Sequence, residues 1–120
     1  MSISNYAETK ILDHALRNTA WTSPSALYMS LHDADPAETG ANEATGGSYA
    51  RQSIAFDASY LNSGAIAFTL MPAGTWTHFA IWDASSAGNC IWEGSLTASK
   101  TTGSGDTVSF AAGAVAITLD

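Results

Sequence analysis

The segment HDADPAE at residues 32–38 holds the densest group of side chains that could do chemistry. It offers an imidazole and three carboxylates, from His32, Asp33, Asp35 and Glu38. Carboxylate oxygens suit calcium, and imidazole with carboxylate suits zinc or another transition metal. A calcium loop needs a glycine at its sixth position, and Gly40 does not fall there when Asp33 is the first ligand. Because Pro36 follows Asp35, the pattern favours a turn with solvated acids, and we expect no bound metal or cofactor.

The other chemical candidates are a carboxylate pair and the tryptophans. Asp83 and Glu93 each follow a tryptophan at the end of a strand-like run, which indicates polar strand ends rather than a glycosidase pair. No nucleophile elbow or phosphate-binding glycine loop is recognisable. Exposed indoles could stack on a sugar, but three of the four tryptophans lie in strand patterns and so favour burial. They are Trp21, Trp76, Trp82 and Trp92. We therefore expect no enzyme.

Composition and charge exclude several classes of partner. The chain has 120 residues, enough for one domain spanning 1–120, and 46% of them are hydrophobic. Its formal net charge is −7, with four scattered basic residues, so neither nucleic acid nor an anionic membrane surface is an expected partner. The lone Cys90 lies in an apolar strand pattern, which indicates a buried thiol. Because the N-terminus lacks an apolar signal region, we expect synthesis in a cytoplasm.

The positions of apolar residues predict one helix followed by strands. Residues 5–18 place Tyr6, Ile11, Leu12 and Leu16 on one stripe, with Asn5 and Glu8 resembling a capping box. This helix lies in an N-terminal segment, 1–20. Alternation then predicts strands at 26–32, 49–56, 65–70, 79–83, 90–93, 106–110 and 114–120. The predicted fold is mainly β: an antiparallel β-sandwich or flattened barrel of about seven strands with one N-terminal α-helix.

Two stretches are predicted as loops. Residues 33–48 contain no large apolar residue and four of the eleven acids, and long polar loops of this kind are usually functional or disordered. Residues 97–105 form a second polar loop. The last strand runs to Asp120, so we expect the C-terminus to be held in the sheet.

The stretch THFAIWDASSAGNCIWEGSL, residues 77–96, predicts a hairpin that is apolar on both faces. Phe79 and Ile81 alternate with Ala80 and Trp82, so both faces must be covered. One face can meet the opposite sheet, and the N-terminal helix can cover part of the other. A helix of about fourteen residues spans only ~21 Å. The remainder, which includes Trp82 and Trp92, is either buried within the monomer or a contact with another chain.

The order of several motifs resembles that of a family of small virion structural proteins of tailed bacteriophages, commonly described as tail-fibre-like. The motifs are SNYAETKILDHAL, LYMSLHDADP, GGSYARQSIAF, the hairpin at 77–96, and SGDTVSFAAGAVAITLD. Together they cover nearly the whole chain. The resemblance implies a virion protein made in the cytoplasm of the host bacterium.

The resemblance and the compact size lead us to expect a capsid decoration, or cement, protein. Proteins of that class form homotrimers and bind the phage major capsid protein through several weak contacts at once. The alternative is a tail or tail-fibre-associated module that binds tail proteins or a host surface glycan. Arg51 and Lys100 could pair with acids across a subunit boundary. The residues expected at interfaces are Ile3, Tyr6, Asp33, Asp35, Glu38, Arg51, Trp82 and Trp92.

Overall fold

The computed structural model describes residues 2–119, which form seven strands and one helix. Met1 and Asp120, which the predictions placed in the N-terminal segment 1–20 and in the last strand, lie outside the described residues. The elements in chain order are β1 (Ser2–Ile3), α1 (Asn5–Leu16), β2 (Leu27–His32), β3 (Gln52–Ile54), β4 (Ile66–Met71), β5 (Gly74–Trp82), β6 (Cys90–Thr102) and β7 (Asp106–Phe110).

The strands form two antiparallel sheets, which confirms the predicted mainly β fold without closing a barrel. The larger sheet has the order β1-β6-β5-β2-β3, and the smaller pairs β4 with β7. The predicted hairpin is the pair β5–β6, which extends well beyond the predicted runs. Register shifts between Ile81 and Trp82 and between Trp76 and His78 bend it locally.

The main core lies between the two sheets. Met29 and Leu31 of β2 alternate toward it, as the sequence pattern predicts, and meet Phe68 from the smaller sheet. Phe68 packs edge-on against Phe110, with ring centroids 6.2 Å apart. Each such fully buried side chain contributes on the order of 2–3 kcal/mol through removal of apolar surface from water.

Two predictions about the ends of strands are wrong. The stretch predicted as a second polar loop, 97–105, continues β6 as far as Thr102, and the turn is confined to the residues that follow. The predicted last strand is absent from residues 114–119: an isolated bridge joins Ala116 to Leu61, and the Ile117 N–H donates to the Tyr60 carbonyl. Buried Val115 fixes this segment against the core instead.

The helix contacts the hairpin through one strand. It was expected to cover part of the hairpin's second face; α1 contacts β6, which lies between β1 and β5, and Ala7 is its buried residue. Its N-cap is Ser4, not Asn5: the Ser4 Oγ accepts the Ala7 N–H at 3.2 Å. None of the helices within residues 2–119 is long and apolar enough to cross a membrane.

Candidate functional site

Two regions outside the main core stand out as candidate sites. One is a largely buried set of polar and aromatic side chains where the 33–48 loop meets the larger sheet. We call it the Trp82 network, and it consists of Ser30, His32, Glu43, Arg51 and Trp82. The other is the exposed apolar surface of α1, which we call the helix ridge, and it consists of Ile11, Leu12 and Leu16.

The Trp82 network begins with a chain of three hydrogen bonds on β2 and β5. The His32 Nδ1 lies 2.7 Å from the Ala41 carbonyl, which can only accept, so Nδ1 carries the proton. The His32 Nε2 therefore accepts from the Ser30 hydroxyl at 2.6 Å. The Ser30 Oγ in turn accepts the indole N–H of Trp82 at 2.8 Å. Every polar group in this series of three hydrogen bonds has a partner, as burial requires.

The second part of the network is an ion pair stacked on the indole. Arg51 donates from Nε and Nη2 to the two carboxylate oxygens of Glu43, each at 2.9 Å. Its Nη1 donates to the carbonyls of Ala84 and Ala87, at 3.0 and 2.9 Å. The guanidinium carbon lies 3.6 Å from the centroid of the Trp82 ring. At this burial a cation–π contact contributes about 2 kcal/mol.

This arrangement answers what covers the second face of the hairpin. Trp82 packs with Ala80 and Cys90 on that face, and the 33–48 loop lies over it. Gly40 passes so close to the indole that a side chain at this position would overlap it, and its φ of +75° favours glycine as well. The 33–48 loop therefore packs closely against the Trp82 indole. Trp92 instead packs against the main core, so the two tryptophans do not share a face.

The pKa shifts in this region follow from burial. Burial lowers the pKa of His32 below its ordinary value, and the Ala41 acceptor and the Glu43 charge oppose this shift less strongly. Burial also raises the pKa of the Cys90 thiol to about 11, with a further contribution from the negative charge of Glu93. A thiol with this pKa is inert at neutral pH.

The Ser30–His32 pair has the hydrogen-bond distance of a nucleophile and its base, but its surroundings are structural. Both side chains are fully buried, and the serine oxygen is already occupied by the Trp82 N–H. His32 is oriented by a backbone carbonyl rather than by a carboxylate. Activation of a nucleophile needs access for the substrate as well as a base, and this pair offers none.

The acids predicted at an interface have local structural partners. The Asp35 carboxylate accepts the Ala37 N–H at 2.8 Å in an Asx turn, and Glu38 accepts the Asn5 N–H at 2.7 Å, at the start of α1. Asp33 is exposed. Among residues 2–119, no three His, Cys, Asp or Glu side chains converge as metal ligands do.

The remaining predicted interface residues lie near the helix or in the sheet. Ile3 pairs with Trp92 in the β1–β6 register, and Tyr6 packs edge-on against Trp21 with centroids 6.3 Å apart. The Trp92 indole N–H is buried without an acceptor in the described part of the chain. Arg51, expected to pair across a subunit boundary, has its acid within the chain. Lys100 lies 5.8 Å from the Phe110 ring centroid.

The apolar stripe of α1 predicts a covering face, whereas the structure leaves the helix ridge exposed. Leu12 and Leu16 are 55% and 77% exposed, and Ile11 beside them is 36% exposed. Tyr6, predicted on the same stripe, turns away from them to Trp21. Two grooves flank the ridge, with volumes of about 290 and 280 Å³. The ridge is therefore an exposed apolar surface with a groove on each side.

Comparison with known protein families decides the broad class of the chain. The model of the family described as podophage GP4 fiber I protein gp80 matches residues 2–118, which includes α1 and both sheets. The chain belongs to this fibre-protein family. It is therefore a structural, fibre-type component of a tailed-phage virion, as the sequence resemblance predicts. No protein in the curated set of characterised proteins matches it.

Proposed function

We propose that this protein is a tail-fibre-associated structural module that works by binding other virion proteins rather than by catalysis. The family match over residues 2–118 carries the proposal, because the family is described by a fibre protein. This supports the tail-fibre alternative over capsid decoration, for which neither the family description nor the fold offers specific support. Synthesis in the host cytoplasm before assembly is part of the proposal.

The geometry supports a structural role in two ways. The residues that resemble a catalytic pair, Ser30 and His32, are enclosed in the Trp82 network, whereas the helix ridge presents exposed aliphatic side chains. A binding surface of this kind suits contact with a protein. Stacking on a glycan is disfavoured, because Trp76 and Trp82 are buried and Trp21 is packed against Tyr6.

Localisation on the virion tests the proposal. Antibodies against the 120-residue chain would be applied to intact phage, to isolated heads and to isolated tails, with immunogold electron microscopy and quantitative mass spectrometry as readouts. We expect label on tails and a low copy number fixed by the symmetry of the tail. Label over the head, with a copy number that follows the shell lattice, would overturn the fibre role and restore the decoration hypothesis.

A further inference from the structure

We propose that the helix ridge is a self-association site through which two copies of this chain pair, with their α1 helices antiparallel. The inference deepens the fibre role and rests on it, since it names the partner of an assembly surface. It starts from Leu12 and Leu16, which are four residues apart and lie on the side of α1 opposite buried Ala7. Ile11 follows Ala7 by four residues, so it lies nearer the buried side, where it lines both flanking grooves.

The ridge combines projecting side chains with grooves. One flanking groove is lined by Ile3, Glu8, Ile11, Leu12 and Leu119, and the other by Ile11, His14, Ala15, Trp21, Ser23 and Pro24. Each copy therefore presents projecting leucines next to apolar grooves. A twofold axis lets the leucines of each copy enter a groove of the other, which is the form of an isologous contact.

The distribution of charge favours a second copy as the occupant. Residues 5–17 contain two acids and two bases, so the other residues, with nine acids and two bases, carry the whole net charge of −7. The charges on this segment are largely matched within the chain: Arg17 pairs with Asp13 at 3.1 Å, and Lys10 lies over the Tyr6 ring. Two copies that meet at this electrically neutral segment thus avoid placing the acidic remainder of each chain in the contact.

The helix dipole decides whether the two α1 helices pair parallel or antiparallel. Antiparallel helices place the positive N-terminal end of each dipole beside the negative C-terminal end of the other. In an antiparallel pair centred on Leu12, Glu8 of one copy lies beside Leu16 of the other, next to the turn that carries His14 and Arg17. A parallel, threefold arrangement would instead bring like ends together. The pair is therefore a dimer, in contrast to the trimer expected from the sequence.

The exposed area is consistent with a contact of modest size. The chain exposes 6612 Å², whereas a compact monomer of 12.4 kDa exposes about 6,100 Å². Stable specific interfaces bury about 800 Å² on each partner. The ridge is confined to one short helix and its two flanking grooves, so we expect a reversible dimer that is stabilised when several copies are held together in a virion.

Sedimentation equilibrium of the purified chain tests the pairing. We expect a monomer–dimer equilibrium that Leu12→Glu weakens at least about tenfold, because the carboxylate would have to be desolvated in the contact. Leu70→Glu is the matched control, since Leu70 has almost the same exposure, 56%, and lies outside the helix. Circular dichroism and thermal melting establish that both variants fold. A monomeric wild-type chain, a trimer, or equal effects of the two substitutions would overturn the proposal.

Disulfide trapping tests the direction. Chains with Glu8→Cys and chains with Leu16→Cys would be mixed and oxidised, while buried Cys90 stays reduced. We expect crosslinks between position 8 and position 16, whereas dominant 8–8 and 16–16 crosslinks would refute the antiparallel arrangement. These assays are independent of location: a dimer found on heads would refute the fibre role alone, and a monomer found on tails would refute the pairing alone.

Discussion

The 33–48 loop and helix α1 show that hydrophobicity does not decide which segment of this protein is buried against the sheet. The loop has no large apolar residue, yet it closes over Trp82, held by the contacts of His32, Glu43 and Arg51. The helix has an aliphatic stripe, yet that stripe faces outward. Anchoring by hydrogen bonds and by close backbone approach fixes the loop, whereas the aliphatic side chains of the helix stay exposed.

The largest effect should come from filling the space between loop and indole. Gly40→Ala would overlap the Trp82 ring and also strain a backbone with positive φ, so we expect a loss of about 3 kcal/mol or more in the free energy of unfolding. Gly105→Ala is the control, because Gly105 also has positive φ, +89°, but open space around its Cα. It should cost only about 1 kcal/mol. Urea denaturation measures both, and equal losses would show that the loop is not closely fitted.

Removal of the buried cation should have the next largest effect. Arg51→Ala leaves Glu43 without its partner and removes the contact with Trp82, so we expect a loss of about 2–3 kcal/mol in the free energy of unfolding. Arg17→Ala removes the exposed ion pair with Asp13 and should change stability by less than about 0.5 kcal/mol. A loss of that small size at Arg51 as well would mean that the network does not hold the loop.

The protonation of His32 should produce a moderate dependence of stability on pH. Because the pKa of His32 is lower in the folded chain than in the unfolded one, the unfolded chain binds more protons as pH falls below about 6.5. The stabilisation is therefore complete above that pH and is lost as the solution is acidified toward the folded pKa. Glu93, whose pKa burial raises, acts with the opposite sign from about pH 4.5 upward.

Comparison with a variant separates these two contributions. In His32→Gln the slope of unfolding free energy against pH between 7 and 5 should be flatter than in the wild type, since Glu93 is common to both. Chemical denaturation at several pH values measures the two slopes. Parallel slopes would show that His32 is not held neutral by the network.

The smallest effect on stability should come from the helix ridge. Leu16 is 77% exposed, so Leu16→Ser should change the free energy of unfolding of dilute protein by no more than about 0.5 kcal/mol. Thermal melting at low protein concentration measures this. A loss above about 1.5 kcal/mol would show that the ridge packs within its own chain, and the contrast between loop and helix would then disappear.

Alternation in the sequence was enough to predict the strands of the core, because residues such as Met29 and Leu31 face inward at every second position. Alternation did not predict the end of β6. The segment TASKTT is largely exposed there, so it has no apolar face that would indicate a strand. The Trp82 network could not be predicted, since Ser30, Arg51 and Gly40 meet only through tertiary contacts. The contacts of α1 could not be predicted either, because an amphipathic pattern shows that a face needs a partner, but not which partner.

Ser4 joins α1 to the sheet and fixes the direction in which the helix leaves it. The exposed leucines of the helix ridge lie elsewhere on the helix. Its hydroxyl donates to the Cys90 carbonyl at 2.6 Å, and its N–H donates to the Ile91 carbonyl at 2.9 Å, while the same side chain caps the helix. These bonds lie at the N-terminus of the helix, about 18 Å from its C-terminal end. In a paired assembly the leucines would set how tightly two copies hold, and Ser4 would set the angle between them. Substitution of Ser4 would therefore change the angle between two paired copies without weakening their contact.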